Sequence, residues 1–263
     1  MVYILGGAFK FGQAAKYGAD YMMEEDVVLV NFDFRVGPFA HLNTEDMEIR
    51  GNQALKDQVM ALRWVQENIA KFGGDPKRVL IFGNSSGGSY VSAQVISKMS
   101  EGNQHSVYEK FRCWLAVWAL IFAGLFHAAI SQSGSVFLDS GFNTRPLESA
   151  RQLGELLNCT KTEDTKALHQ CLIDADANDL ATKFEELHDF HMFTKEFIPE
   201  NGDTQDVFFE DYPINLLANG SFQKVPWLVG NNNAEGYPNA HGKQSSLFRL
   251  FCGSVGFICV HFF

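Results

Sequence analysis

The chain reads as an α/β protein built on a mostly parallel sheet, and three observations in its sequence predict this. Short continuous runs of apolar, partly β-branched residues lie in Met1–Ile4, Asp26–Phe32 and Val79–Phe82, in the manner of strands buried on both faces. Between the second and third runs, apolar residues recur at steps of three and four over Gln53–Phe72, which is one face of a helix. Glycine and proline punctuate the joins, so the order is strand, turn, helix, strand, turn, helix. That alternation covers a parallel sheet on both sides.

In chain order, the first strand runs into Leu5-Gly6-Gly7-Ala8-Phe9. Small residues at a strand end let backbone N–H groups point into a cavity, as an oxyanion hole requires, and they serve an ordinary Gly-Gly turn equally well. Arg35-Val36-Gly37-Pro38 ends the second strand. The helix that follows places Leu55, Val59, Leu62, Val65, Ile69 and Phe72 on one face, and Gly73-Gly74 stops it before the turn at Asp75-Pro76. After the strand Val79–Phe82, the segment Gly83-Asn84-Ser85-Ser86-Gly87 fits G-x-S-x-G, and a helix-compatible run continues to Met99. This is the pattern of a nucleophile elbow, a sharp strand-to-helix turn on which the Ser85 hydroxyl stands clear of the backbone. From Pro146 to Asp189, leucines at helical spacing predict short helices over the carboxyl edge of the sheet. Asp203–Tyr212 reads as an acidic loop, and Pro226–Val229 as a further strand.

Composition narrows the function. The 263 residues, 46% of them hydrophobic, suffice for a sizeable core. A formal net charge of -10 and an isoelectric point near 5.2 disfavour nucleic acid and anionic membrane as partners, because the long-range field repels both. The apolar run Cys113–Phe126 is too short to span a bilayer, so no membrane span is expected. No secretory signal is visible ahead of the strand-like Val2–Ile4, as a sequence truncated at its start would show. Cysteine and histidine spacings give no metal site, and no cofactor is implied.

Five segments carry a resemblance. They are Leu5–Phe9, Lys56-Asp57-Gln58 through Arg63–Ile69, Phe72–Pro76, Phe82–Gly88 and Ala129–Gly134. In order and mutual spacing they resemble the carboxylesterase type B family, the cholinesterase-like α/β-hydrolases, with the flavour of arthropod esterases. The likeness covers most of Val2 to about Tyr237, as if truncated at both ends, and implies an incomplete α/β-hydrolase sheet flanked by helices. It implies a serine ester hydrolase acting on a small-molecule carboxylic ester. Ser85 matches the nucleophile, and the N–H groups of Gly7, Ala8 and Ser86 match the oxyanion donors. Glu235, in Leu228–Gly236, matches the triad acid; without the family it is an ordinary loop carboxylate. Helices of the kind expected over Pro146–Asp189 wall the ester pockets in that family, and plain core packing is the alternative for each residue.

The departures are specific. Leu5 stands where the family has His, Asn84 where it has Glu, and Ser86 where it has Ala. The triad histidine is not found. The family's Gly-x-x-His lies well downstream of the acid, whereas His241 is too near and His261 sits in an apolar tail. His41, His105, His127, His169, His188 and His191 have no motif support and read as surface or packing residues. Little or no turnover is therefore expected of this chain, with a non-catalytic binding or adhesion module of the same fold as the alternative.

Two segments look foreign to the family. Removing Asn103–Gly124 restores the expected join, and Ser245–Phe263 is an apolar tail beyond a partial hydrolase domain at residues 1–244. Retained non-coding sequence or alternative splicing is the expected source of both, with an extra buried helix as the alternative for the first, and a transcript product that does not fold is a third functional reading. Cys113, Cys252 and Cys259 fall in those segments. Cys159 and Cys171 resemble the family's short-loop disulfide, or else are reduced thiols on neighbouring helices. The sequons at Asn158 and Asn219 point with that disulfide to a secreted or endoplasmic-reticulum glycoprotein.

Overall fold

The structure, a computed structural model, describes residues 1–101, 124–138, 142–187, 191–204 and 206–232, with the backbone of 258–261. Its strands are β1 (Val2–Ile4), β2 (Val30–Asn31), β3 (Leu80–Asn84), β4 (Ala128–Gln132), β5 (Phe142–Asn143), β6 (Phe193–Thr194), β7 (Trp227–Gly230) and β8 (Ile258–His261). Six of them form one sheet in the order β2-β1-β3-β4-β7-β8, parallel throughout except for β8, which runs antiparallel to β7. The register sets Val2 beside Ile81, Ile81 beside Ala129 and Ala129 beside Trp227, so the first three form one buried row across the sheet. A separate parallel pair joins β5 to β6.

Helices α1 (Pro38–His41), α2 (Gln53–Asn68) and α3 (Ser86–Ile96) belong to the same layer system. The expected stripe on α2 is buried at Leu55, Val59, Leu62 and Val65. Phe72 departs from it and is 61% exposed, packed on the Trp64 ring at 5.8 Å. The chain tightens into a 3₁₀ turn over Ile69–Phe72, and three residues per turn rather than 3.6 rotates Phe72 off the buried face. Every residue of α3 is buried, which makes it the central helix.

A second apolar cluster unites α4 (Pro146–Leu156), α5 (Thr165–Asp174) and α6 (Ala177–Glu185) through Leu153, Leu168, Leu172, Leu180 and Phe184. Asp164 and Asp176 cap α5 and α6, each accepting two backbone N–H bonds from the first turn. The Cys159–Cys171 disulfide ties the end of α4 to α5. A last helix, α7 (Pro213–Ala218), precedes β7.

The extent of the second strand is corrected. The strand expected over Asp26–Phe32 is paired as strand only at Val30–Asn31, and Val27–Phe32 is half-buried, because β2 is the edge of the described sheet. The acidic segment Asp203–Tyr212 is a loop, as expected, and its Val207, Phe208 and Phe209 are buried while Asp206 and Asp211 carry charge at the surface. Strand β4 was not foreseen from its residues, since Ala-Ala-Ile-Ser-Gln lacks a continuous apolar run.

Candidate active site

Ser85 is the joint between β3 and α3, with φ 58° and ψ -128°. A non-glycine residue at such a φ is strained and persists only where its surroundings fix it. Here they do. The Ser85 N–H donates to the Gln132 carbonyl at 2.8 Å at the end of β4, and the Ser85 carbonyl accepts from the Ser89 N–H at 3.1 Å. The neighbours come close enough to exclude side chains. A Cβ on Gly87 would stand 2.3 Å from the Ile4 carbonyl oxygen, and one on Gly134 would stand 2.0 Å from that of Ser85. Glycine therefore lets β1, β3, β4 and α3 converge on one turn. The Ser85 side chain is exposed and makes no capping bond to its helix.

The loop after β1 comes back alongside this turn. Gly7 has φ 146°, and Ala8 and Phe9 have φ 51° and 65°. The Gly7 carbonyl accepts from the N–H groups of Lys10 and Phe11, closing the loop on itself. The Gly7 N–H faces α3 and donates to Ser86 Oγ at 2.9 Å. The Ser86 N–H opens the helix and so has no partner within it. Among the described residues, no hydrogen bond engages the Ala8 N–H.

Beside Ser85 lies a cavity of about 230 Å³, walled by Tyr3, Phe11, Gln13, Lys16 and Tyr17. None of these five was singled out from the sequence; the only signal is that four of them follow the Gly6-Gly7 pair closely. Burial, with the neighbouring Tyr17, pushes the Tyr3 phenol up to about 12, so it is a neutral hydroxyl at physiological pH. Asn84 lies at the same mouth, with Nδ2 at 3.4 Å from the Gln132 carbonyl.

Three of the described histidines are engaged elsewhere. His41 Nε2 meets the Tyr90 hydroxyl at 3.0 Å inside the core, His127 Nδ1 accepts from the Val79 N–H, and His169 pairs with Glu48. Burial lowers the His41 imidazole to about 4. Glu235, His105, His188 and His241 lie outside the described residues, as do 103–123 of the suspected insertion; of the tail, only the backbone of β8, which includes His261, is described. Asn158 and Asn219 stand exposed. Among the described residues, no group of histidine, cysteine and carboxylate side chains could hold a metal ion, and no helix is long and apolar enough to cross a membrane.

Residues 1–247 match the profile of the carboxylesterase family. The chain is 33% identical to carboxylesterase 4A of Bos taurus over 95% of its own length and 44% of that relative's. It is 34% identical to venom carboxylesterase-6 of Apis mellifera, covering 90% of this chain and 39% of the relative. With esterase-5A of Drosophila pseudoobscura pseudoobscura the identity is 32%, over 89% of this chain and 40% of the relative. The chain thus spans about two fifths of the length of these relatives. With residues 1–247 matching that profile and Ser85 at the central strand-to-helix turn of a mostly parallel sheet, this chain belongs to the carboxylesterase family, and its fold is that of an α/β-hydrolase in part.

Proposed function

We propose that this chain carries the nucleophile side of an active site that hydrolyses small carboxylic esters. The observation that carries the reading is the Ser85 turn: a serine in a left-handed backbone conformation, exposed, at the junction of the central strand and the central helix. Ser85 Oγ attacks the ester carbonyl carbon, and the N–H groups of Gly7, Ala8 and Ser86 receive the charge that develops on oxygen. The alcohol leaves, and water releases the acyl group from Ser85. Glu235 is the carboxylate that orients the imidazole base, as its motif implies. The Cys159–Cys171 disulfide and the exposed sequons at Asn158 and Asn219 support a glycosylated product of the secretory route.

One observation favours a second reading. Among the described residues, His41, His127 and His169 all have partners away from Ser85, and a chain of this fold without a base would bind esters or partners and not turn them over. Labelling separates the two. Diethyl 4-nitrophenyl phosphate is expected to modify the chain at Ser85, read by peptide mass spectrometry, and to leave Ser85→Ala untouched. Failure to label Ser85 in a folded chain rejects the hydrolase reading and leaves the binding module. Release of 4-nitrophenol from 4-nitrophenyl acetate then measures what turnover the chain sustains, which is expected to be slight.

A further inference from the structure

We propose that the Ser86 hydroxyl is an internal competitor for the Gly7 N–H, so that Ser86 restrains the chemistry of Ser85. The inference rests on the reading of Ser85 as the nucleophile. Its basis is a contact between residues 79 apart in sequence: the Gly7 N–H donates to Ser86 Oγ at 2.9 Å. Ser86 is only 4% exposed, and its side chain opens the central helix.

The backbones that carry the two partners are held in place. The helix start is fixed by Gly87 against the Ile4 carbonyl, and the loop start by Gly6, where a Cβ would stand 2.4 Å from the Asn84 carbonyl oxygen. An oxyanion hole works because its donors are pre-aimed and unoccupied except by exchangeable water. A water molecule leaves when substrate arrives, whereas a hydroxyl tethered to α3 stays. The arriving oxygen must share the Gly7 N–H with it, and the lone pairs of Ser86 Oγ lie next to the developing negative charge. Ser86 thus acts through Gly7 as a positioning residue that weakens one of three donors. One oxyanion donor is worth roughly a hundredfold or more in rate, so weakening one by sharing is expected to slow Ser85 by about tenfold.

The test compares the chain with Ser86→Ala and Ser86→Gly, both of which lack the hydroxyl. In the labelling step, the bond from Ser85 Oγ to phosphorus forms as the bond to 4-nitrophenolate breaks, and the serine proton passes to water. The second-order rate of modification by diethyl 4-nitrophenyl phosphate is expected to rise about tenfold in both variants. The Gly7 amide, followed by nitrogen-15 NMR hydrogen exchange, is expected to be protected in the chain and to exchange faster in the variants. A structural role alone would not move that amide and the rate together in these directions. An unprotected Gly7 amide in the unaltered chain overturns the inference. So does labelling that is unchanged or slower in the variants, since a slower rate means that the hydroxyl donates to the oxyanion. If no protein is labelled at Ser85, the nucleophile reading fails, and the competition is decided by the Gly7 amide alone.

Discussion

The Tyr90 hydroxyl and His41 Nε2 lie 3.0 Å apart, each on a residue that is 1% exposed. Phe9 packs edge-on against both rings, so the pair sits between the loop after β1 and the central helix. Burial lowers the His41 imidazole to about 4 and raises the Tyr90 phenol, which keeps both groups neutral in the folded state.

The pH dependence follows from His41. In the unfolded chain its imidazole takes a proton near 6.5, and in the folded chain only near 4, so the unfolded state binds more protons between those values. The contribution is complete above pH 6.5 and is lost as the pH falls toward 4. Between pH 7 and pH 5 the chain is expected to lose about 2 kcal/mol through this group. The double variant His41→Phe, Tyr90→Phe removes the titration without orphaning a hydroxyl. Urea unfolding at the two pH values, compared between the chain and the double variant, reads the difference.

At the central turn, Gly87→Ala places a methyl group 2.3 Å from the Ile4 carbonyl oxygen, where backbone faces backbone and no side chain can yield. A loss of about 3 kcal/mol or more is expected. Gly73→Ala is the control. Its Cβ meets open space, and only the left-handed φ of 82° opposes it, at about 1–2 kcal/mol. Chemical denaturation of the two variants should separate them by a clear margin, and equal losses would contradict the packing described for α3.

Glu196 holds three elements together. Its Oε1 accepts from Asn52 Nδ2 at 2.8 Å and from the Phe208 N–H at 3.1 Å, and its Oε2 accepts from Lys56 Nζ at 2.7 Å. Burial raises the carboxyl above its ordinary range, against the opposing pull of Lys56. Glu196→Ala leaves the Lys56 ammonium and the Phe208 N–H without their acceptor and removes one of the two bonds of Asn52 Nδ2, which also donates to the Thr194 carbonyl, and a loss of about 3–5 kcal/mol is expected. Glu196→Gln keeps an acceptor for Asn52 and Phe208 and is expected to lose less. Thermal unfolding of both variants at neutral pH gives the order.

The disulfide closes a short loop, Cys159 to Cys171, 12 positions apart. By loop entropy its removal is expected to lower stability by about 3 kcal/mol. Cys159→Ser with Cys171→Ser should match the unaltered chain measured under reducing conditions, because both open the same loop. A mismatch in denaturant midpoint would point to strain or packing at the cysteines.

The sequence by itself determined the local elements and the chemistry-bearing turn. Apolar runs marked β1, β3 and β7, three-and-four spacing marked α2, and G-x-S-x-G between a strand and a helix put Ser85 where the chain turns. Periodicity reports which face of an element is buried, and these elements carry that signal within a few residues. Tertiary structure decided what no local pattern encodes. Strand β4 exists because Ala128–Gln132 pairs on one side with β3 and on the other with β7, and its buried Ser131 is satisfied by Trp227 Nε1 at 3.0 Å. Phe208 and Phe209 are core residues within an acidic loop because the fold turns them inward. The contact of Gly7 with Ser86 spans 79 positions and depends on backbones brought to touching distance by glycines on three separate segments. Such contacts are set by which strand lies beside which, and hydrogen-bonded neighbours in a parallel sheet are distant in the chain.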